Sequence, residues 1–385
     1  AGLVGLLSAW LSAYLMVFPA RLPGGRTVPW LRGPIAASSA ELSTFAQARL
    51  LSGLPDPSRL FENLGPDRYR REIFRSLRSQ TDGHVDDVMA RRNARAWGGL
   101  SAYARQRIYA HVHRRLPFAV DNFIENIHRD LDVIIRPDHL LHAHFVAEPD
   151  EPARLFLAAF AADLRSGLPA AALLGALAGW LASLVVAGDG ALAWVTASAA
   201  LAGALWMPIR LFAPRRRVVV WPFSFQGVVY RRRRRYLRLL ALRLAGEALA
   251  WRTVASEFLR GGQAERVRMI MRREVGGILD TAVFKATLQL LVGPEAVVEV
   301  KRSAQEKAMD LLAAATISPA LREAYRQEVE RTLLHAAATD SDADAYARLW
   351  APVLQVSLRW LAPAIAGAGF LLGLAIAWLM PALAG

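Results

Sequence analysis

Histidine is the chain's best-supplied candidate for metal or proton chemistry. His84, His111, His113, His128, His139, His142, His144 and His335 are the eight, and seven of them fall between positions 84 and 144. Two form His-x-His pairs, but positions i and i+2 diverge by about 200° on a helix, so neither pair can share one ion there. His139 and His142 can converge on one helical face, yet no clear carboxylate completes a site. Cysteine is absent, which excludes disulfides, thiolate metal sites and thiol catalysis. No phosphate-binding glycine-lysine loop, zinc-protease helix, nucleophile elbow or dinucleotide glycine pattern occurs. Lysine stands only at positions 285, 301 and 307, none in a nucleotide motif. No residue is therefore assigned a catalytic, cofactor-binding or metal-binding role, and no cofactor is expected.

Arginine carries the other chemistry. Arg231, Arg232, Arg233, Arg234 and Arg235 form the densest charge run, and Arg215, Arg216 and Arg217 precede it. Such runs beside an apolar segment meet anionic lipid headgroups, each cation contributing about 1 kcal/mol near the surface. A solvated helix face, paired with acids of the same domain, is the plainer alternative. Nucleic acid is not the expected partner, because the interleaved aromatics of a single-strand platform are missing.

The elements that position these residues follow from where charge is absent. Of 385 residues, 54% are hydrophobic, and the 47 Lys and Arg outnumber the 33 Asp and Glu. Residues 1–19 and 361–385 contain no charge, and residues 168–213 contain only Asp189 and Arg210. A bilayer core of about 30 Å needs roughly 20 apolar residues in a helix, which predicts four spans: 1–19, 168–187, 191–213 and 361–383. The first reads as a retained anchor, since it lacks the basic start of a secretion signal. Gly188-Asp189-Gly190 makes a tight hairpin of the middle two. Arg210 is the one cation within a span and is expected to snorkel to the headgroups. No histidine lies in any span, so axial ligation of an intramembrane haem is not expected.

Between the spans lie two charged helical domains, 20–167 and 214–360. They hold 21 and 25 of the Lys and Arg, and Arg210 is the remaining one. The positive-inside rule places both in the cytoplasm and both termini on the opposite side. Ser38 and Glu41 form a capping box opening a helix through about residue 51. Further helices are expected near 58–64, 67–80, 84–113, 117–133 and 151–166, the last running toward the second span. In the second domain they are expected near 229–248, 252–260, 263–291, 296–314, 319–337 and 343–360. Val218-Val219-Val220-Trp221 is the best strand candidate in an otherwise all-α fold.

The chain also resembles itself. A shift of 194 superposes Gly33 on Gly227, Arg49 on Arg243, Asp150 on Asp344, Pro169 on Pro363, Gly175 on Gly369 and Gly179 on Gly373. A span, a helical domain and a second span thus occur twice with parallel topology, which predicts a pseudo-two-fold along the membrane normal. Gly175 with Gly179, and Gly369 with Gly373, are GxxxG pairs at the same place in each exit span and are the expected helix-packing contacts.

Trp10-Leu11-Ser12-Ala13-Tyr14-Leu15-Met16-Val17-Phe18-Pro19 resembles the signature of the YheB/YjiN-like family of uncharacterised bacterial inner-membrane proteins. Leu211-Phe212-Ala213-Pro214 fits the end of that signature again, and Phe225-Gln226-Gly227-Val228-Val229 resembles its basic follow-on. The family's polar Thr-Asn pair is replaced by Ser8-Ala9 and by Gly203-Ala204. The resemblance implies a multi-pass protein of the bacterial inner membrane and no catalytic residues. The expected role is a non-catalytic scaffold or accessory subunit stabilising a larger membrane assembly, such as a photosynthetic or respiratory complex. Its partners would be other integral membrane subunits and anionic lipids. A transporter accessory and an anionic-lipid-binding envelope organiser are the alternatives.

Overall fold

The computed structural model describes residues 1–17, 33–186, 188, 191–213, 218–220, 223–281, 285–286, 289, 294–315 and 319–384. It is helical apart from a small hairpin, in which β1 (Val218–Val220) pairs antiparallel with β2 (Phe223–Phe225) and Val219 faces Ser224. The strand expected at 218–221 is therefore present, with its last residue outside the described set.

Packing divides the chain into two compact units. The first comprises Ala1–Ser52, Leu141–Arg243 and Leu334–Gly385, and the second Gly53–Leu140 and Leu244–Leu333. The division cuts through both charged sequence domains. Their middle portions make one unit, because the amphipathic helices of each bury their apolar faces on those of the other.

In the first unit, α1 (Gly2–Val17), α2 (Pro34–Ala37) and α3 (Ser39–Arg49) come first, then the C-terminal part of α7 (Pro137–Ala147). The long α8 (Glu151–Val185) and α9 (Ala191–Phe212) follow, then α10 (Val228–Arg231) and α11 (Arg233–Arg243). The last elements are α16 (Ala343–Val356), a π-helical turn (Ser357–Leu361) and α17 (Ala362–Ala384), which form a single rod. Three helices are long and apolar enough to cross a membrane: Glu151–Val185, Ala191–Phe212 and Ala343–Trp378. The expected first span is shorter: α1 has 16 residues, about 24 Å at 1.5 Å each. As anticipated, α8 runs without a break through Pro169 into its apolar half. Gly188, at φ 106°, takes a left-handed conformation that glycine tolerates best; Asp189 and Gly190 lie outside the described residues.

The second unit contains α4 (Pro57–Asn63), α5 (Pro66–Gly98), α6 (Ala102–Ile134), α12 (Trp251–Arg260), α13 (Ala264–Leu279), α14 (Pro294–Ala315) and the first part of α15 (Pro319–Thr339). Val120, Phe123, Ile124, Ile127 and Leu131 of α6 pack on Ile73 of α5 and Val267 of α13. Near the other end of α6, Ile108 joins Val88, Met89, Trp97 and Val300. Breaks expected between 80 and 84 and between 113 and 117 do not occur, since α5 continues through Gly83 and α6 through Pro117. An internal glycine costs about 1 kcal/mol and an internal proline about 3 kcal/mol, which burial of the two apolar stripes exceeds. The real break falls at Gly98 and Gly99, and Ser101 caps α6 by accepting from the Ala104 amide at 3.2 Å.

Ser38 also departs from expectation. It is the residue before α3, but its hydroxyl donates to Ile35 O at 2.7 Å, and its side chain does not cap the helix. That hydroxyl closes the short α2 instead, and α3 ends at Arg49 rather than near 51.

Candidate functional site

The first unit brings together most of the described residues singled out from the sequence. Gly5 of α1 faces Gly175 of α8 so closely that a Cβ on Gly175 would lie 2.6 Å from the Gly5 Cα. Gly203 of α9 rests on the backbone of the same Gly5. Gly369 of α17 faces α9, where a Cβ would lie 2.5 Å from that of Ala200. Gly179 sits against Ala1, and Gly373 against Thr196 and Ala193. Gly175, Gly369 and Gly373 thus stand where helices approach closely, α8 on α1 and α17 on α9, while Gly179 packs on the Ala1 side chain and on Val195 of α9. Polar side chains stitch the same seams: Ser12 donates to Ala204 O at 3.1 Å and Trp206 Nε1 to Gly167 O at 3.0 Å.

Gly33 and Gly227 share a second kind of contact. Each immediately precedes a four-residue helix. A Cβ on Gly33 would meet Met16 O at 2.7 Å, and one on Gly227 would meet Leu211 O at 2.8 Å. Each glycine therefore lets the returning chain press on the end of an apolar helix.

Buried acids, which the sequence reading did not single out, organise the arginines. Asp163 on α8 is 4% exposed and takes Arg232 at 3.0 Å and Arg231 at 3.9 Å on Oδ1. Arg210 reaches the same turn, donating to Asp163 O and to Ser166 Oγ, both at 2.9 Å. Gly167 provides the room, since a Cβ there would strike the Arg210 guanidinium. The Asp340 carboxylate is bound by Arg49 Nη2 at 2.7 Å, and its backbone carbonyl by Arg233 at 2.6 Å. Glu151, 1% exposed, is approached by Arg154 at 3.3 Å and Arg243 at 3.9 Å. Asp163 had a legible signal: it is the first charge after the apolar run of residues 155–162, and an acid on such a helix needs a partner.

Of the five consecutive arginines, Arg231, Arg232 and Arg233 thus serve protein acceptors, while Arg234 and Arg235 are exposed. Arg215, Arg216 and Arg217 lie outside the described residues. Phe156 and Phe160, between Glu151 and Asp163 on α8, join Phe212, Tyr236, Tyr346 and Trp350 in a fully buried aromatic group. Phe160 stacks on Tyr236 at 5.9 Å, and Tyr236 meets Trp350 edge-on at 5.3 Å. Burial, with a smaller contribution from the Glu151 charge, pushes the Tyr236 phenol well above its ordinary pKa.

The histidines disperse. His113 pairs with Asp82 at 2.7 Å, His128 with Glu62 at 3.3 Å, and His111 lies 3.3 Å from Ile278 O. No group of three or more His, Asp or Glu able to hold a metal ion occurs among the described residues. The geometry of the first unit is that of a close-packed, ion-paired helix junction. Comparison with family models, curated proteins and solved structures finds no match.

Proposed function

We propose that this chain is a non-catalytic membrane scaffold of two like halves, whose four apolar helices cross the bacterial inner membrane and stabilise a larger membrane assembly. The observation that carries this reading is a reciprocal pair of ion contacts. Arg49 binds Asp340, and Arg243, 194 positions further on, approaches Glu151. Each half thereby ties its second cytoplasmic helix to the other near the start of its exit rod, on acids that differ in position: Glu151 begins α8, whereas Asp340 precedes α16. The matched seats of Gly33 and Gly227 support the duplication, and so do the paired contacts of Gly175 and Gly369. The Lys and Arg count supports a cytoplasmic position for both charged blocks, and the likeness of residues 10–19 to the YheB/YjiN-like signature supports the inner membrane.

Trp180, Trp194 and Trp378, each more than half exposed, give the apolar helices side chains suited to partner helices and interfaces. Gentle extraction from native membranes, with identification of every co-migrating chain, tests the reading. Other integral membrane subunits are expected to remain bound. A chain that always leaves the membrane as a lone monomer would overturn it.

A second reading, anionic-lipid binding, is favoured by the exposure of Arg234, Arg235 and Arg238 on α11. Replacing those three by glutamine is expected to weaken binding to anionic but not neutral vesicles. Unchanged binding would remove this reading and leave the scaffold standing.

A further inference from the structure

The described residues of the second unit leave space between its helices. Two adjoining cavities, of about 170 and 140 Å³, run through its helices, and Ile73 and Phe123 line both. Protein interiors are normally packed as densely as organic crystals, and apolar voids destabilise the fold. A site lined this way offers water almost no hydrogen-bond partners, so it stays dry or takes an apolar guest.

The lining also has a direction. Along α6 the wall is one stripe, with Ile108, Val112, Leu116 and Val120 on the first cavity and Ile127 and Leu131 on the second. From Ile108 to Leu131 that stripe is roughly 35 Å long at 1.5 Å per residue. One leaflet's hydrocarbon, half of a core of about 30 Å, is shorter than this. Among the described residues, His84, Glu274 and Lys307 border the first cavity, and no acid or base other than the Tyr325 phenol borders the second. Lys307 lies 3.8 Å from Asp87, and Glu274 accepts from Asn126 at 3.3 Å. Nδ1 of His84 is buried without a hydrogen-bond partner among the described residues.

We propose that the second unit binds a single-chain lipid, with its alkyl chain along the α6 stripe and its polar head beside Lys307 and His84. An elongated apolar lining, with its acid and base groups confined to the first cavity, suits a chain better than a compact or polar ligand. The assignment concerns the second unit alone and does not rest on the scaffold reading.

The test uses the full chain held in an amphipathic polymer free of alkyl detergent, titrated with a fluorescent long-chain fatty acid. Saturable binding is expected, displaced by unlabelled fatty acid and by a monoacylglycerol. Ala119→Trp and Ala304→Trp fill the first cavity from different helices, and each is expected to weaken binding by about tenfold or more. Circular dichroism confirms that the variant used is folded, and either one suffices. Lys307→Met is expected to weaken the fatty acid and spare the neutral monoacylglycerol. Absence of saturable binding, or affinity unchanged in a folded filled variant, would overturn the site. Equal loss of both ligands in Lys307→Met would overturn the placement of the head.

Discussion

Phe156 and Trp350, 194 positions apart in the chain, meet ring to ring with centroids 5.5 Å apart. In a duplicated chain, a residue can touch its own counterpart only where it lies on the axis relating the halves. On the proposed duplication, these two rings stand at that place, and Phe212 and Tyr236 close around Trp350 at 5.8 and 5.3 Å. Trp350→Ala is expected to destabilise the fold by about 3–5 kcal/mol, measured by denaturant unfolding in a mild detergent. Adding Phe156→Ala should cost less than the two single changes summed, because the residues share one contact. Full additivity would show that the rings are not coupled.

The glycine seams predict a sharp contrast within one helix. A side chain on Gly369 strikes Ala200, whereas Gly367, two residues earlier, has nothing within 4 Å of a new Cβ. Gly369→Leu should therefore lower the thermal midpoint, at a cost of about 1–3 kcal/mol typical of overpacking. Gly367→Leu should leave it nearly unchanged. Gly175→Leu should act like Gly369→Leu, because its obstacle is the Gly5 backbone and cannot rotate away. Equal midpoints for all three variants would refute the close approach.

Asp340 offers a charge test. Its side chain is 3% exposed and depends on the Arg49 guanidinium. Arg49→Met leaves that carboxylate buried without the Nε and Nη2 donors that both reach its Oδ1, a loss of about 1–3 kcal/mol. Asp340→Leu in the same chain should recover most of it, since apolar replacement of both partners of a buried pair is often neutral. A double variant no more stable than Arg49→Met would show that the pair is not what holds α3 to the start of α16.

These relationships were legible in the sequence to different depths. The apolar helices and the four packing glycines follow from composition and spacing, because a bilayer demands long uncharged runs and close helices demand small residues. The association of the middle segments of both charged blocks did not follow. Each of α5, α6, α13 and α14 shows an apolar stripe, but a stripe does not say which other stripe covers it. The turn at Ser357–Leu361 is equally hidden. It lies 194 positions after the Asp163–Gly167 stretch that receives Arg210, and it is wound as a π-turn with Ser357 in place of the acid. An extra backbone residue of that kind has no compositional mark.

Asp342 gives the pH dependence. Its carboxylate begins α16, accepting from the Ala345 amide at 2.8 Å and the Asp344 amide at 3.0 Å, with Arg49 at 3.5 Å. The Ala345 amide, then the slight opposing effect of desolvation, then the Arg49 charge and the Asp344 amide set a pKa below the ordinary carboxylate value. A pKa lower in the folded than in the unfolded chain means that the unfolded chain binds the proton more readily. The contribution is therefore complete above the unfolded value of about 3.9 and is lost as pH falls through the lower folded value. Asparagine caps nearly as well as aspartate but carries no charge, so Asp342→Asn isolates the electrostatic part. The native chain should melt above the variant at neutral pH, and the gap should close as the pH drops below about 4. A gap that widens on acidification would mean that the acid stabilises α16 in its protonated form, and the Arg49 contact would then have no part in holding the cap.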